Sequence, residues 1–150
     1  MPADGDSADV AAIRELIARQ FQCLQWTPER PPDWQGLAAV FVPDAPLYPA
    51  ARPARRQTVA EFIERMEGLR TSGRLASFEE TMLGANILVF GNVAVALGAC
   101  EMVENGSEVT RDVSGFLFIK DDGDWRIAAQ AWDVEREDNA IPEELREPAV

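Results

Sequence analysis

Two carboxylates, Glu101 and Asp133, lie in β-patterned runs late in the chain, where a folded sheet could aim both at one cavity. No histidine occurs in the 150 residues, which removes Ser-His and Cys-His nucleophiles, the common zinc sites and the usual general base near neutral pH. Acid–base chemistry therefore has to rest on carboxylates, Tyr48, Lys120, a thiol or water. Cys23 and Cys100 have no short metal-ligand spacing and fall in segments that read as buried helix and buried strand, so free thiols are expected, with no metal and no cofactor.

The elements that must position these groups follow from periodicity. From Ser77 onward the apolar period is two, through a first run and then through Asn92 to Glu104, Glu108 to Lys120 and Asp124 to Glu135. Gly91-Asn92, Asn105-Gly106 and Asp121-Asp122-Gly123-Asp124 separate the runs, and turns this short make neighbouring strands antiparallel. Upstream, Val10, Ile13, Leu16, Ile17, Phe21 and Leu24 recur at helical spacing, with Ser7 or Asp9 able to cap them. Asp33 can cap a short helix carrying Leu37, Val40 and Phe41, and Thr58 can cap another carrying Val59, Phe62, Ile63, Met66 and Leu69. Helices first and a four-stranded meander last make an α+β fold with the helices packed on one face of a curved, mainly antiparallel sheet. Residues 1–8 read as a flexible tail, 9–138 as one domain and 139–150 as a C-terminal extension.

With 26 acidic against 14 basic residues the net charge is -12, a field that repels phosphate backbones and anionic lipid, so neither nucleic acid nor membrane is expected as a partner. No basic region precedes a long apolar stretch, and a cytoplasmic location is the simplest reading. Arg52, Arg55 and Arg56 form the one basic cluster, in a proline-rich loop: plain surface, or a rim for an anionic ligand. Alternation divides each strand into two sets, and both faces come out substantially apolar. Since water should meet a polar face, a second copy is expected to cover the outer one, making a homodimer.

Phe41-Val42-Pro43-Asp44-Ala45, then Asp122-Gly123-Asp124-Trp125-Arg126-Ile127 followed by Ala131-Trp132-Asp133-Val134, in this order and spacing, resemble the nuclear transport factor 2-like superfamily, particularly its SnoaL-like branch, over roughly residues 9 to 135. The resemblance implies a cone-shaped α+β barrel whose open end admits a small apolar or carbonyl-bearing ligand. Superfamily members include ketosteroid isomerases, polyketide cyclases, limonene epoxide hydrolases and non-catalytic binding domains, and the fold does not choose among them.

By the same resemblance, Trp132-Asp133-Val134 is similar to the final-strand motif carrying a catalytic aspartate, and Glu101 matches in kind an acidic position of the epoxide hydrolases, whose arginine is replaced here by Ala99. Tyr48 sits near their water-binding tyrosine, while the accompanying asparagine is Ala50. Two missing groups weigh against epoxide or lactone hydrolysis. Isomerase or cyclase chemistry would use Asp133 as base and Tyr48 or a protonated Glu101 as donor, the logic of the ketosteroid isomerases. Ser114, Phe116, Phe118, Trp125, Ile127 and Ala131 are the expected ligand-binding residues of the cone, and desolvation there should raise a carboxyl pKa. The alternative in a different class is a non-catalytic ligand-sensing or interaction domain, with Asp133 bound to a helix terminus or an arginine and Glu101 paired across strands with Arg111.

Overall fold

The computed structural model describes residues 4–146, with side chains from Ala8 onward. Helix α1 spans Asp4–Leu24, α2 Trp34–Ala39 and α3 Val59–Thr71; strand β1 is the short Leu47–Tyr48, and β2 to β5 run over Phe78–Phe90, Val93–Glu104, Glu108–Asp121 and Asp124–Val134. A single turn of 3-10 helix follows at Glu143–Leu145. Because α1 starts at Asp4, the part of the expected tail that is described is helical, and residues 1–3 lie outside the described residues. No helix is long and apolar enough to cross a membrane.

Two helix starts are fixed by the caps expected of them. The Asp33 side chain accepts from the Gly36 N–H at 2.9 Å, and a Cβ at Gly36 would crowd that carboxylate and Cys23 Sγ, so that the cap would have to shift. At α3, Thr58 Oγ1 accepts from the Glu61 N–H at 3.0 Å while the Glu61 carboxylate accepts from the Thr58 N–H at 2.9 Å, a reciprocal box that satisfies two otherwise orphaned donors.

The sheet order is β1-β5-β4-β3-β2, antiparallel throughout except for the parallel pairing of β1 with β5. The three helices lie on one face of this curved, unclosed sheet, as expected of an α+β cone, and the core fills the space between: Ile13 and Ile17 from α1, Leu37 from α2, Phe118 and Ile127 from the sheet, and Trp26 are essentially inaccessible.

Two bulges set the faces of the sheet. Pairing of β2 with β3 shifts between Met82 and Gly84, leaving Leu83 unpaired, and pairing of β4 with β5 passes from Leu117↔Ala129 to Phe118↔Ile127, leaving Ala128 unpaired. One extra residue reverses the alternation beyond it. Trp125 and Ile127 therefore share the inner face with Gln130 and Trp132, while Ala131 and Asp133 turn outward.

The outer face is covered in part by the chain itself. Ile141 and Leu145 of the C-terminal extension are buried against Ala99, with Leu83 and Val113 packed around them. Residues 147–150 lie outside the described residues.

Candidate functional site

Between the helices and the inner face of the sheet lies a cavity of about 200 Å³. Its walls are apolar, including Phe21 and Leu24 of α1, Phe62 and Met66 of α3, and Met102 and Trp132 of the sheet. Its floor is polar: Gln20, Glu80, Asp112, Ser114 and Gln130 all line it and all are buried. Each arrives by simple geometry. Gln20 falls on the apolar stripe of α1, three residues after Ile17, and Glu80, Asp112, Ser114 and Gln130 occupy inward positions of their strands.

Cys100 joins the two carboxyls. Its Sγ lies 2.7 Å from Asp112 Oδ1 and 3.0 Å from Glu80 Oε2. A thiol has one hydrogen, and two contacts need two, so one carboxyl must donate its own proton to the sulfur. Burial pushes the Glu80 carboxyl up to about 8, with the Asp112 charge adding and the Cys100 contact opposing. Asp112 is also raised by burial, opposed by its bond from Cys100, and burial followed by the two carboxylates drives the thiol far above its usual range. At neutral pH the consistent arrangement has Glu80 protonated and donating to Sγ, and Cys100 donating to Asp112. Glu80 is then the carboxyl held protonated by burial, and Asp112 the one that accepts from the thiol.

An amide chain completes the floor. Gln20 Nε2 donates to Gln130 Oε1 at 2.5 Å, and Gln130 Nε2 donates to Ser114 Oγ at 3.1 Å, leaving the Ser114 hydroxyl hydrogen free to face the cavity. Two acceptors on the floor, Glu80 Oε1 and Gln20 Oε1, meet no donor. Glu80, Cys100 and Asp112 offer ligand atoms within 4.8 Å of one another, the one grouping of metal-binding type among the described residues. Holding a cation would require the protons that now bridge the three groups to leave.

No family model matches this chain, and no curated protein does. Solved structures do match. A protein described as NTF2-like and of unknown function from Pseudomonas putida superposes with a TM-score of 0.67 at 17% identity, covering 91% of this chain and 96% of the other. The chain has the nuclear transport factor 2-like fold. A putative scytalone dehydratase from Novosphingobium aromaticivorans aligns over 97% of this chain and 95% of its own with a TM-score of 0.71 at 14% identity. A hexachlorocyclohexane dehydrochlorinase from Novosphingobium barchaimii aligns over 89% and 92% with a TM-score of 0.70 at 16% identity.

Within this nuclear transport factor 2-like cone, the expected site residues separate. Ser114 lines the cavity. Phe116, Phe118, Trp125 and Ile127 face inward but are packed into the core beyond it. Ala131 and Asp133 face outward, because the bulge at Ala128 reverses the count that placed them with Ile127; they line a separate groove of about 390 Å³ between the sheet and the C-terminal extension. There Asp133 pairs with Arg136 at 3.0 Å, and its carboxyl is held below the usual range by that contact and by the Val134 N–H. Glu101 also faces outward, bonded to Arg111 at 2.9 Å in the cross-strand pair its register allows. Tyr48, on β1, is 40% exposed and does not line the cavity. Arg52 donates to three carbonyls of its own loop and borders the outer groove.

The carboxyls of the cone are thus Glu80 and Asp112, which sequence reasoning passed over. Signals for them existed. The Asn105-Gly106 turn fixes a register in which Cys100 faces Asp112, and Gln20 breaks an otherwise apolar helical stripe.

Proposed function

We propose that this chain is a small-molecule isomerase or lyase whose acid–base pair is Glu80 and Asp112, acting inside the cone. The observation that carries the reading is that two buried carboxyls share one thiol on the floor of an apolar cavity. Desolvation favours a protonated Glu80, while the bond from Cys100 opposes the same effect at Asp112; pushing two carboxyls apart in this way is how one fold supplies an acid and a base at the same pH. Asp112 would take a proton from carbon next to a carbonyl or a leaving group; the electron pair left behind forms an enolate in the first case, or a double bond as the leaving group departs in the second. Glu80 would return a proton to carbon in an isomerisation or give it to the departing atom in an elimination. Ser114, with its free hydroxyl hydrogen, supports negative charge developing on oxygen.

Size narrows the substrate. A cavity of about 200 Å³ falls below the roughly 300–1,000 Å³ of sites for drug-sized ligands, so single-ring compounds fit better than fused tetracycles. The names of two structural neighbours, a dehydratase and a dehydrochlorinase, are those of eliminations, in keeping with proton removal as the first step. The working unit we propose is a homodimer joined through the outer sheet face.

Deuterium uptake beside the carbonyl of single-ring ketones in heavy water, followed by NMR, tests the reaction without knowledge of the natural substrate. The expected result is enzyme-dependent exchange that Asp112→Asn lowers by roughly 100- to 10,000-fold. Exchange that survives Asp112→Asn and falls with Asp133→Asn would move the site to the outer groove. Binding without exchange by any ketone would leave a ligand-sensing domain.

A further inference from the structure

Glu80 and Asp112 line the cavity, while Cys100, which touches both, is fully buried and is not part of the lining. Sheet order accounts for this placement. Strand β3 runs between β2 and β4, and Cys100 stands across from Asp112 on one side and from Met82, two residues along from Glu80, on the other. The thiol thus has one carboxyl on each flank, with the sulfur behind them as seen from the cavity. Neither carboxyl pairs with an arginine or lysine among the described residues, so no fixed cation pins the negative charge to one end of the array.

A turnover of the kind proposed above brings one hydrogen from carbon onto Asp112 and spends one from Glu80. It leaves the array inverted, with Asp112 protonated and Glu80 ionised, and the pair must be reset before it can work again. A thiol donates one hydrogen and accepts another, so the inverted array is satisfied by the same three groups: Asp112 now donates to Sγ, and Sγ to Glu80 Oε2. Once the Asp112 carboxyl has turned its new hydrogen to the sulfur, reset is a shift of two hydrogens along this line. The Asp112 hydrogen passes to Sγ as the thiol hydrogen passes to Glu80. One S–H bond breaks while another forms, and the array keeps a single net negative charge throughout. The sulfur never becomes a thiolate, a form that burial and the two neighbouring carboxylates make very costly here.

We infer that Cys100 is a positioning residue that relays hydrogen from Asp112 to Glu80 between turnovers, without touching the substrate. The relay rests on Glu80 and Asp112 being the acid–base pair of the cavity. It gives a transferred hydrogen an itinerary. A hydrogen taken from one substrate molecule lies first on Asp112, moves to Sγ at the next reset and to Glu80 at the one after, and so returns to carbon in a different molecule. Reset by water entering the cavity would wash that hydrogen out instead, and the burial of the thiol is what protects it.

Isomerisation of 3-cyclohexen-1-one to its conjugated isomer by the full chain in ordinary water tests this. The substrate is an equal mixture of molecules deuterated on the carbon between carbonyl and alkene and of undeuterated molecules labelled with carbon-13. Mass spectrometry is expected to find deuterium in the carbon-13 product after many turnovers, and none when the chain is in excess and turns over once. Cys100→Ala should abolish this crossover and slow steady-state isomerisation by about tenfold more than the first turnover, whereas Cys100→Ser, whose hydroxyl also donates and accepts, should restore both to within roughly threefold. If the alanine variant fails to fold, the crossover by the unmodified chain still decides. Isomerisation without crossover overturns the relay and keeps the acid–base pair, as does a serine variant no better than the alanine one, which would make the thiol a packing group. A chain that neither isomerises this enone nor exchanges single-ring ketones overturns the acid–base reading, and the relay falls with it.

Discussion

Glu80 is the residue through which pH reaches the stability of this protein. Its carboxyl is raised from 4.5 to about 8 by burial, so the folded state keeps a proton that the unfolded chain gives up. Between those values the native state binds more protons than the unfolded state, and stability must fall as pH rises. The contribution is fully present below about pH 4.5 and is lost on passing through pH 8. The displacement corresponds to ~5 kcal/mol at most. Urea denaturation at about pH 5, 6.5 and 8 should show this decline, and Glu80→Gln, which keeps the shape and cannot ionise, should flatten most of it. An unchanged slope in the variant would mean that Glu80 is not the buried proton. The outward carboxyls cannot mimic the effect: Asp133 and Glu135 are held below their ordinary values by hydrogen bonds and arginines, and they act only at lower pH.

At the level of elements, the site depends on two unpaired residues as much as on its buried carboxyls. Ala128 lets β5 present Trp125 and Ile127 at one end and Gln130 and Trp132 at the other, all to the same interior. Deleting Ala128 would force one half of the strand outward, exposing either Trp125 and Ile127 or Gln130 and Trp132. That should cost more than ~4 kcal/mol and abolish a cooperative thermal transition by circular dichroism, whereas Ala128→Ser should stay within about 1 kcal/mol. A cooperative melt for the deletion would show that the register can slide. The same bulge marks where sequence reading stopped. Helix stripes, the Asp33 and Thr58 caps and the three hairpin turns were legible because each is a local signal of residue type and spacing. The bulges were not, because an extra residue in a strand has no compositional mark, and strict alternation carried Asp133 to the wrong face. Glu80 was hidden for a related reason: a carboxyl on an alternating strand looks solvated until the partner strand shows which side the core is on; Asp112 shares the phase of Ser114, so its inward position was legible and only its pairing with Glu80 through Cys100 was not.

For the whole molecule, the unresolved balance is on the outer face of the sheet. Leu88, Val93, Val95, Leu97 and Leu117 are exposed there, and Phe90 is 86% exposed. The C-terminal extension covers Ala99 and its neighbours and stops short of this patch. A contiguous apolar face of this kind is what a second copy would bury, the same patch meeting itself across a two-fold axis. Opposing this, each copy brings a net charge of -12, so the two repel at long range. Salt shortens that repulsion, from a screening length of about 10 Å at 0.1 M to about 3 Å at 1 M, and leaves apolar burial in place. The association should therefore tighten with added salt, the reverse of an assembly held by ion pairs. Light scattering across a dilution series at low and high salt should give a dimer whose midpoint moves to lower protein concentration as salt rises. Phe90→Lys combined with Val95→Lys should give a monomer at every salt concentration while costing the folded chain little, since in the single copy the Phe90 side chain is mostly in water and that of Val95 about half so. A wild-type chain that is monomeric in high salt would remove the dimer from the proposal and leave the cone and its carboxyl pair to work alone.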